Sequence, residues 1–173
     1  MDGVVQSVHV DSGPLGPGYW PLMLPEAHPR TALILGLGGG TIAHLLRKRF
    51  GAVRIVGVDN DPAIIRIARS AFSIERCTNE IVEADAFAFV DRVETVFDYI
   101  AVDLFADGMV PPAIFRRPFL RRIRQALAPG GIAAFNFFND RRTAARVDRL
   151  KRTFPRVALL KSRENVVAHC RPR

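Results

Sequence analysis

The feature that most constrains this chain is an alternation of short aliphatic runs with longer amphipathic stretches along most of its length. The first run, Ala32 to Leu35, is apolar throughout and ends in the glycine cluster Gly36 to Gly40. A short run without polar alternation is typical of a strand that is buried on both faces of a parallel sheet. The stretch Thr41 to Phe50 then predicts an amphipathic helix. The alternation therefore predicts an α/β protein.

The same alternation continues to the end of the chain. We predict further strands at Arg54 to Val58, Ile81 to Glu83, Tyr99 to Val102 and Ile132 to Phe137, with two weaker candidates at Val157 to Leu160 and Val166 to His169. We predict helices at Pro62 to Phe72, Ala86 to Arg92, Ala113 to Leu127 and Arg142 to Phe154. The predicted fold is a Rossmann-like, doubly wound, mostly parallel sheet of about seven strands with helices on both faces.

Length and composition fit one domain. The 173 residues are 49% hydrophobic and 24% charged, as is usual for a globular chain. Residues 1 to 30 are rich in glycine and proline, so we predict an irregular arm there and a ligand-binding domain from 31 to 173. No apolar run approaches the ~20 residues that span a bilayer, and no signal peptide is evident, so we expect a cytoplasmic protein. Cys77 and Cys170 have no metal-binding spacing, and we expect no metal site.

The net charge of +8 comes mainly from arginine. The runs Arg116 to Arg124 and Arg141 to Arg152 fall in predicted helices, and we interpret them as solvated helix faces. They contain few aromatic residues, and no nucleic-acid-binding motif occurs in the chain, which argues against a nucleic-acid partner. An acidic protein partner stays open.

Four predicted strand ends carry residues suited to chemistry, and the carboxyl ends of parallel strands meet at one crevice. Gly36, Gly38, Gly39 and Gly40 let backbone N–H groups approach a ligand closely, although a tight turn alone would also need glycines. About twenty residues later, Asp59 with Asn60 follows the second strand, where a carboxylate can accept both hydroxyls of a ribose. We interpret Asp61, directly before Pro62, as a helix cap.

Two further acids follow the third and fourth strands. Asp85, with Ala86, can accept a hydrogen bond from an exocyclic amino group such as that of adenine, or can cap the next helix. Asp103 stands beside the position where a reacting group would lie, and it is our candidate catalytic residue. The alternative for Asp103 is a strand-end aspartate bonded to loop N–H groups.

The order of these segments resembles the class I S-adenosylmethionine-dependent methyltransferase superfamily, and within it the spermidine synthase-like branch. The segments are GLGGG, VDND, ADAF, FDYIAVDLF and LAPGGIAAFNFF, and Asp2 to Ser7 is similar to the DGxxQ segment of that branch. The resemblance implies that the glycines line the methionine portion of S-adenosylmethionine or its decarboxylated form, that Asp59 holds the ribose and that Asp85 with Ala86 contacts adenine. It also implies that residues 1 to 30 are the remnant of that branch's N-terminal β-hairpin region, that Gln6 touches the ligand and that subunits can pair as a homodimer.

The departures from that branch bear on the reaction. Gly39 stands where spermidine synthases usually carry an acid that suits the bare ammonium of decarboxylated S-adenosylmethionine. Ala106 stands three residues after Asp103, where the branch has a second acid, and a Tyr-His-Glu segment is reduced to Tyr19-Trp20-Pro21. We therefore favour methyl transfer to an unidentified small-molecule or protein acceptor. Aminopropyl transfer to a polyamine is the alternative.

Two other classes share parts of the pattern. A nicotinamide-dependent oxidoreductase would place a third glycine at position 41, which is Thr41. A non-catalytic nucleoside-binding module would keep the ligand cradle without turnover.

Overall fold

The computed structural model of the protein describes residues 18–172. Gln6 and most of the predicted arm lie outside the described residues. The segment that follows begins with the short helix α1, Trp20–Met23, whose second residue is Pro21. Residues 24–30 then run without regular structure to the first strand.

Seven strands form one sheet in the order β3-β2-β1-β4-β5-β7-β6. They are β1 (Thr31–Leu35), β2 (Arg54–Asp59), β3 (Glu80–Glu83), β4 (Phe97–Val102), β5 (Leu127–Phe138), β6 (Arg156–Lys161) and β7 (Asn165–Arg171). Strands β1 to β5 pair in parallel, whereas β7 is antiparallel to both β5 and β6. The predicted fold class, an α/β protein with a mostly parallel sheet of seven strands, is confirmed.

The helices cover both faces of the sheet. They are α2 (Thr41–Phe50), α3 (Pro62–Phe72), α4 (Ala86–Arg92), α5 (Arg117–Gln125) and α6 (Thr143–Lys151). Alternate residues of the strands pack against α4, α5 and α6 on one face and against α1, α2 and α3 on the other. Burial of these two apolar layers supplies the main stabilising free energy of the fold.

The ends of the parallel strands are aligned by their register. Leu35 at the end of β1 pairs with Val58 of β2 and with Val102 of β4. Val102 pairs in turn with Phe135 of β5. Asp59 of β2 pairs with Glu83, the last residue of β3. The residues that follow these strands therefore lie along one edge of the sheet, which we call the carboxyl edge.

One predicted helix is wrong in its extent. Residues 113 to 127 do not form a continuous helix, because a 3₁₀ turn at Pro112–Phe115 is followed by extended backbone at Arg116 and then by α5. Pro118 explains the break, since its ring would clash with the carbonyl of residue 114 in a continuous helix. Leu127 belongs instead to β5, where it pairs with Phe97.

Pro129, Gly130 and Gly131, which separate the predicted helix ending at Leu127 from the predicted strand beginning at Ile132, lie inside β5. Gly130 has a φ of 79°, and the pairing with β4 shifts register between Phe97 and Tyr99. A strand irregularity thus occurs where the sequence predicted a loop between helix and strand.

Most arginines of the two basic runs lie on exposed faces of α5 and α6, where Arg116, Arg117, Arg149 and Arg152 line a shared groove. Arg146 differs, because its side chain is only 11% exposed and pairs with Asp140 at 3.1 Å. It also lies over the rings of Phe115 and Phe137.

Cys77 and Cys170 are buried, and neither belongs to a disulfide within residues 18–172. Among residues 18–172, no cluster of histidine, cysteine, aspartate and glutamate has the geometry to hold a metal ion. In the same part of the chain, no helix is both long and apolar enough to cross a membrane.

Candidate functional site

Gly36 directly follows β1 and packs against Asp103, the residue that directly follows β4. Its N–H group and that of Leu37 both donate to the carbonyl of Val58, at 2.9 and 3.0 Å. Its φ is 85°, and a Cβ atom at this position would lie 2.2 Å from the carbonyl oxygen of Asp103. Only glycine fits here, because the conformation is left-handed and the nearest atom belongs to the backbone. The glycine loop and Asp103 are therefore in direct contact.

Gly38 and Gly40 also require freedom of conformation, with φ values of 53° and 85°. Gly40 is the N-cap of α2 and offers no side chain to its first turn. A Cβ atom at Gly40 would lie 2.0 Å from Cδ1 of Ile74. The loop thus leads into the positive end of a ten-residue helix with backbone alone at its surface, which suits a negatively charged or polar ligand group.

Asp59 holds the glycine loop from the neighbouring strand. One carboxylate oxygen accepts a hydrogen bond from the N–H of Gly38 at 2.9 Å, and the other accepts from the N–H of Asp61 at 3.1 Å. Each oxygen keeps a lone pair for a further donor. Asn60 is exposed beside it.

Asp61 and Asp85 both cap helices. Asp61 accepts from the N–H groups of Ala63 and Ile64, at 2.7 and 3.4 Å, as its position before Pro62 predicts. Asp85 accepts from the N–H of Ala88 at 2.8 Å, which uses one of its carboxylate oxygens. The capping alternative for Asp85 is therefore present in the structure, and Asp85 remains exposed at the carboxyl edge.

Asp59 and Asp85 lie on the same side of the molecule. The N–H of Ala84, directly before Asp85, donates to the carbonyl of Asp59 at 2.9 Å. Ala86 follows and is buried as the first residue of α4. The glycine loop, Asp59 with Asn60, Asp85 with Ala86, and Asp103 thus follow four adjacent strands at one edge.

Asp103 is the centre of a polar network that sequence reasoning did not find. One carboxylate oxygen accepts from the hydroxyl of Tyr19 at 2.9 Å, and the other accepts from the side-chain amide of Asn136 at 2.8 Å. The carbonyl oxygen of the Asn136 amide accepts in turn from the side-chain amide of Asn165 at 3.0 Å. The alternative for Asp103, a carboxylate bonded to loop N–H groups, does not describe these contacts.

The environment of Asp103 shifts its ionisation. Burial raises the pKa of the Asp103 carboxyl to about 6, while the hydrogen bonds from Asn136 and Tyr19 oppose this rise. Burial, together with the neighbouring charge of Asp103, raises the pKa of Tyr19 far above its ordinary value. Tyr19 is therefore a hydrogen-bond donor at neutral pH, and Asp103 is ionised but close to its pKa, as suits a proton acceptor.

An aromatic pair stands next to this network. Phe105 follows Asp103 in the loop after β4, and its ring meets that of Phe138 edge to face, with centroids 5.4 Å apart. Phe138 lies two residues beyond Asn136 on β5 and packs against the apolar layer that contains Phe135 and Phe137. Phe105 is 37% exposed, and Met109 in the same loop is 66% exposed. The loop that follows Asp103 therefore exposes apolar side chains to solvent.

The span matched by a known family includes the glycine loop and all three candidate acids. Residues 20–140 match the family model described as the spermine/spermidine synthase domain. The chain belongs to the spermine/spermidine synthase domain family. The predicted family is thereby confirmed. The matched residues end before Asn165.

Proteins with two kinds of name are similar in sequence to this chain. A polyamine aminopropyltransferase of Neisseria meningitidis is 32% identical over 136 residues, covering 77% of this chain and 52% of the relative. An N-terminal histidine N-methyltransferase of Emericella nidulans is 30% identical over 138 residues, covering 75% of this chain and 24% of the relative. This family member therefore spans about half the length of the first relative and less of the second.

The fold is shared with a solved methyltransferase-like protein. Human methyltransferase-like protein 13 in complex with SAH superposes with a TM-score of 0.76 and 23% identity, over 90% of this chain and 77% of that one. The family member described here thus has the class I methyltransferase fold.

Proposed function

We propose that this protein binds S-adenosylmethionine and transfers its methyl group to an amine. The observation that carries the proposal is the contact between Gly36 and Asp103. It brings a loop suited to an adenosyl sulfonium compound against the backbone of the residue that bears the candidate carboxylate, with no room for a side chain between the two. The two kinds of relative agree with an amine acceptor, since both are named for transfer to amines.

The residues at the carboxyl edge fit the adenosyl ligand. Gly36, Gly38, Gly39 and Gly40 would face its methionine portion, Asp59 with Asn60 its ribose, and Asp85 with Ala86 its adenine. Gln6, outside the described residues, would contact it from the arm. When bound, S-adenosylmethionine supplies a methyl carbon activated by the positively charged sulfur. The left-handed glycines leave the cradle free of side chains, which is the feature such a ligand requires.

Asp103 would act on the acceptor. Its carboxylate can accept a hydrogen bond from an amine N–H, turn the nitrogen lone pair toward the activated carbon and take the proton after transfer. Tyr19 and Asn136 hold the two oxygens in place, so the carboxylate is already oriented before the acceptor arrives. Phe105 and Phe138 would exclude water from this side and suit an amine next to an apolar group.

Aminopropyl transfer is the second candidate, because the family is described as a spermine/spermidine synthase domain and the Neisseria relative is named a polyamine aminopropyltransferase. A polyamine has several positive charges and needs several acids. Asp107, the next acid after Asp103, is exposed and has a φ of 51°, and Ala106 occupies the position where the branch has its second acid. Gly39 likewise removes the acid that favours decarboxylated S-adenosylmethionine. These departures lead us to rank methyl transfer first.

A transfer assay with labelled S-adenosylmethionine tests the proposal. The acceptors are peptides with a free amino terminus, a lysine peptide, putrescine and spermidine, each repeated with decarboxylated S-adenosylmethionine. We expect methyl transfer to a peptide or apolar amine, and at least a ~100-fold loss of turnover in Asp103→Asn, with adenosyl binding kept. Asp107→Asn, a change of the exposed neighbour, serves as the control and should keep its turnover.

Other outcomes would replace the proposal. Transfer from the decarboxylated compound alone would make aminopropyl transfer the function. Tight binding without transfer to any of these amines would favour the nucleoside-binding module.

A further inference from the structure

A row of buried polar side chains crosses β5 and β7 behind Asp103. Asn136 lies near the carboxyl end of β5 and is fully buried, and Asn165 at the start of β7 is 8% exposed. The side-chain amide of Asn165 donates to the amide oxygen of Asn136 at 3.0 Å, and the amide nitrogen of Asn136 donates to Asp103 at 2.8 Å. Two buried asparagines within an apolar sheet are costly unless every polar atom is paired, so this row requires a reason.

The chemistry of the three groups permits one direction for these bonds. An ionised carboxylate can only accept hydrogen bonds, so Asn136 must turn its NH₂ group toward Asp103. Its carbonyl oxygen then points the opposite way, where the NH₂ group of Asn165 meets it. If the Asn136 amide were flipped, oxygen would face oxygen at Asp103 and NH₂ would face NH₂ at Asn165. The contacts with Asp103 and with Asn165 therefore favour the same orientation of the Asn136 amide.

Asn165 is itself fixed by the turn between β6 and β7. Its backbone N–H donates to the hydroxyl of Ser162 at 3.2 Å, and its carbonyl accepts from the N–H of Ser162 at 2.9 Å. It also pairs with Phe138 in the antiparallel ladder between β5 and β7. The backbone of Asn165, the first residue of the row, is thus fixed both by the turn at Ser162 and by the pairing with β5.

We propose that Asn165 is a positioning residue, which acts through Asn136 to hold the Asp103 carboxylate in one orientation and in its ionised form. The effect of Asn165 on the orientation and ionisation of Asp103 does not depend on the adenosyl ligand. Its consequence for catalysis rests on the proposed function. The family match ends at residue 140, before Asn165.

Few other ionisable groups face Asp103 in the described part of the chain. Tyr19 approaches from the segment before α1 and donates to the carboxylate. Tyr99 lies on the same strand, but its hydroxyl donates to the carbonyl of Met23, and burial keeps its pKa well above the ordinary value. Asp107 is exposed in the loop that follows. Since the bond from Asn136 lowers the pKa of Asp103, its loss should raise that pKa.

A ¹³C NMR titration of aspartate carboxyl groups tests this in the full chain without any ligand. Asp103→Asn identifies the signal, which should titrate near pH 6 in the unchanged protein. In Asn165→Leu, of similar volume but without a donor, we expect the pKa of Asp103 to rise by about 0.5 units or more. Asn139→Leu replaces an exposed asparagine near the same edge and should leave that pKa in place.

An unchanged pKa of Asp103 in folded Asn165→Leu would overturn the proposal. If this variant does not fold, the unchanged protein provides a second measurement. The side-chain NH₂ of Asn136 should then shift with the titration of Asp103 and exchange slowly with solvent, and a freely exchanging NH₂ would overturn the proposal equally.

Kinetics separates this inference from the proposed function. If both hold, the acid limb of the pH dependence of kcat/KM moves upward in Asn165→Leu by the same amount as the pKa of Asp103. A change in the titration without any transfer activity would leave the positioning role standing and refute the proposed function. A uniform loss of activity with an unmoved limb and an unmoved pKa would show that Asn165 is merely structural.

Discussion

Asp59 and Asp61 lie two residues apart in the sequence but have different roles. Asp59 holds the N–H of Gly38, whereas Asp61 caps α3. We predict that Asp59→Ala weakens S-adenosylmethionine binding by about 10- to 100-fold, because a charge-assisted hydrogen bond contributes about 1.5 to 3 kcal/mol. Asp61→Ala is the matched control and should cost about 1 kcal/mol of stability through the lost cap. Titration calorimetry and chemical unfolding measure the two effects, and an equal loss of affinity in both variants would show that the ribose is held elsewhere.

The shifted pKa of Asp103 has a consequence for stability. Burial raises the pKa from 3.8 in the unfolded reference to about 6, so the folded state binds the proton more tightly. This contribution to the free energy of unfolding is present below the lower value and is lost as pH rises through about 6. We predict that the melting temperature of Asp103→Asn, relative to the unchanged protein, is higher at neutral pH than at about pH 4. A difference that is constant over this range would contradict the shift.

Sequence could identify the acids of the site but not their partners. Asp59, Asp85 and Asp103 each follow an aliphatic run, and strand ends of a parallel sheet meet at one edge. Tyr19, Asn136 and Asn165 come from an irregular segment, a strand interior and an antiparallel strand, and only the tertiary structure brings them together. One signal was present, because Asn136 interrupts the apolar run of β5. A polar residue in a strand buried on both faces needs a partner.

The loop after β1 is the element on which the cradle depends. We predict that Gly36→Ala abolishes ligand binding and destabilises the fold, because its Cβ would lie 2.2 Å from a backbone oxygen of Asp103. Gly51→Ala is the control, since Gly51 also has a positive φ, 70°, but no atom lies within 4 Å of the added Cβ. That variant should cost only about 1 to 2 kcal/mol of backbone strain and keep its affinity. Calorimetry and thermal unfolding of both variants provide the comparison, and full affinity in Gly36→Ala would show that the loop does not form the cradle.

The elements that were predicted most accurately from sequence are those whose ends are marked by local residues. Residues 41–50 form α2 between Gly40 and Gly51, and α3 begins at Pro62 after its aspartate cap, so local chemistry fixes these bounds. The predictions that failed depend on tertiary pairing. β5 begins at Leu127 because it pairs with Phe97, and a strand partner outweighs the turn propensity of Pro129 and Gly130.

At the scale of the whole molecule, the sheet order gathers one functional edge from distant parts of the chain. Adjacent strands β3, β2, β1 and β4 are followed by Asp85, Asp59, the glycine loop and Asp103, and β5 and β7 add Asn136 and Asn165. Because β7 is antiparallel, its first residue rather than its last lies at this edge. In a purely parallel sheet, only the carboxyl ends of strands would supply residues to this edge. Here the amino end of the antiparallel strand β7 supplies a residue as well.

The preference of the whole protein for S-adenosylmethionine or for its decarboxylated form can also be tested. We predict that Gly39→Asp shifts the ratio of affinities at least ~10-fold toward decarboxylated S-adenosylmethionine, because the new charge repels the carboxylate of the intact compound and attracts the bare ammonium. Backbone strain does not prevent this change, since Gly39 lacks a positive φ. Competition binding with both compounds measures the ratio. An unchanged ratio would mean that the loop does not face the methionine end.

The adenosyl sulfonium site is tested most directly by titration calorimetry of the unchanged protein with S-adenosylmethionine, its decarboxylated form and NAD. We expect saturable binding of S-adenosylmethionine, stronger than that of the decarboxylated form, and no comparable binding of NAD. Binding of NAD alone, or of none of the three, would contradict the claim that the carboxyl edge of this sheet holds an adenosyl sulfonium compound.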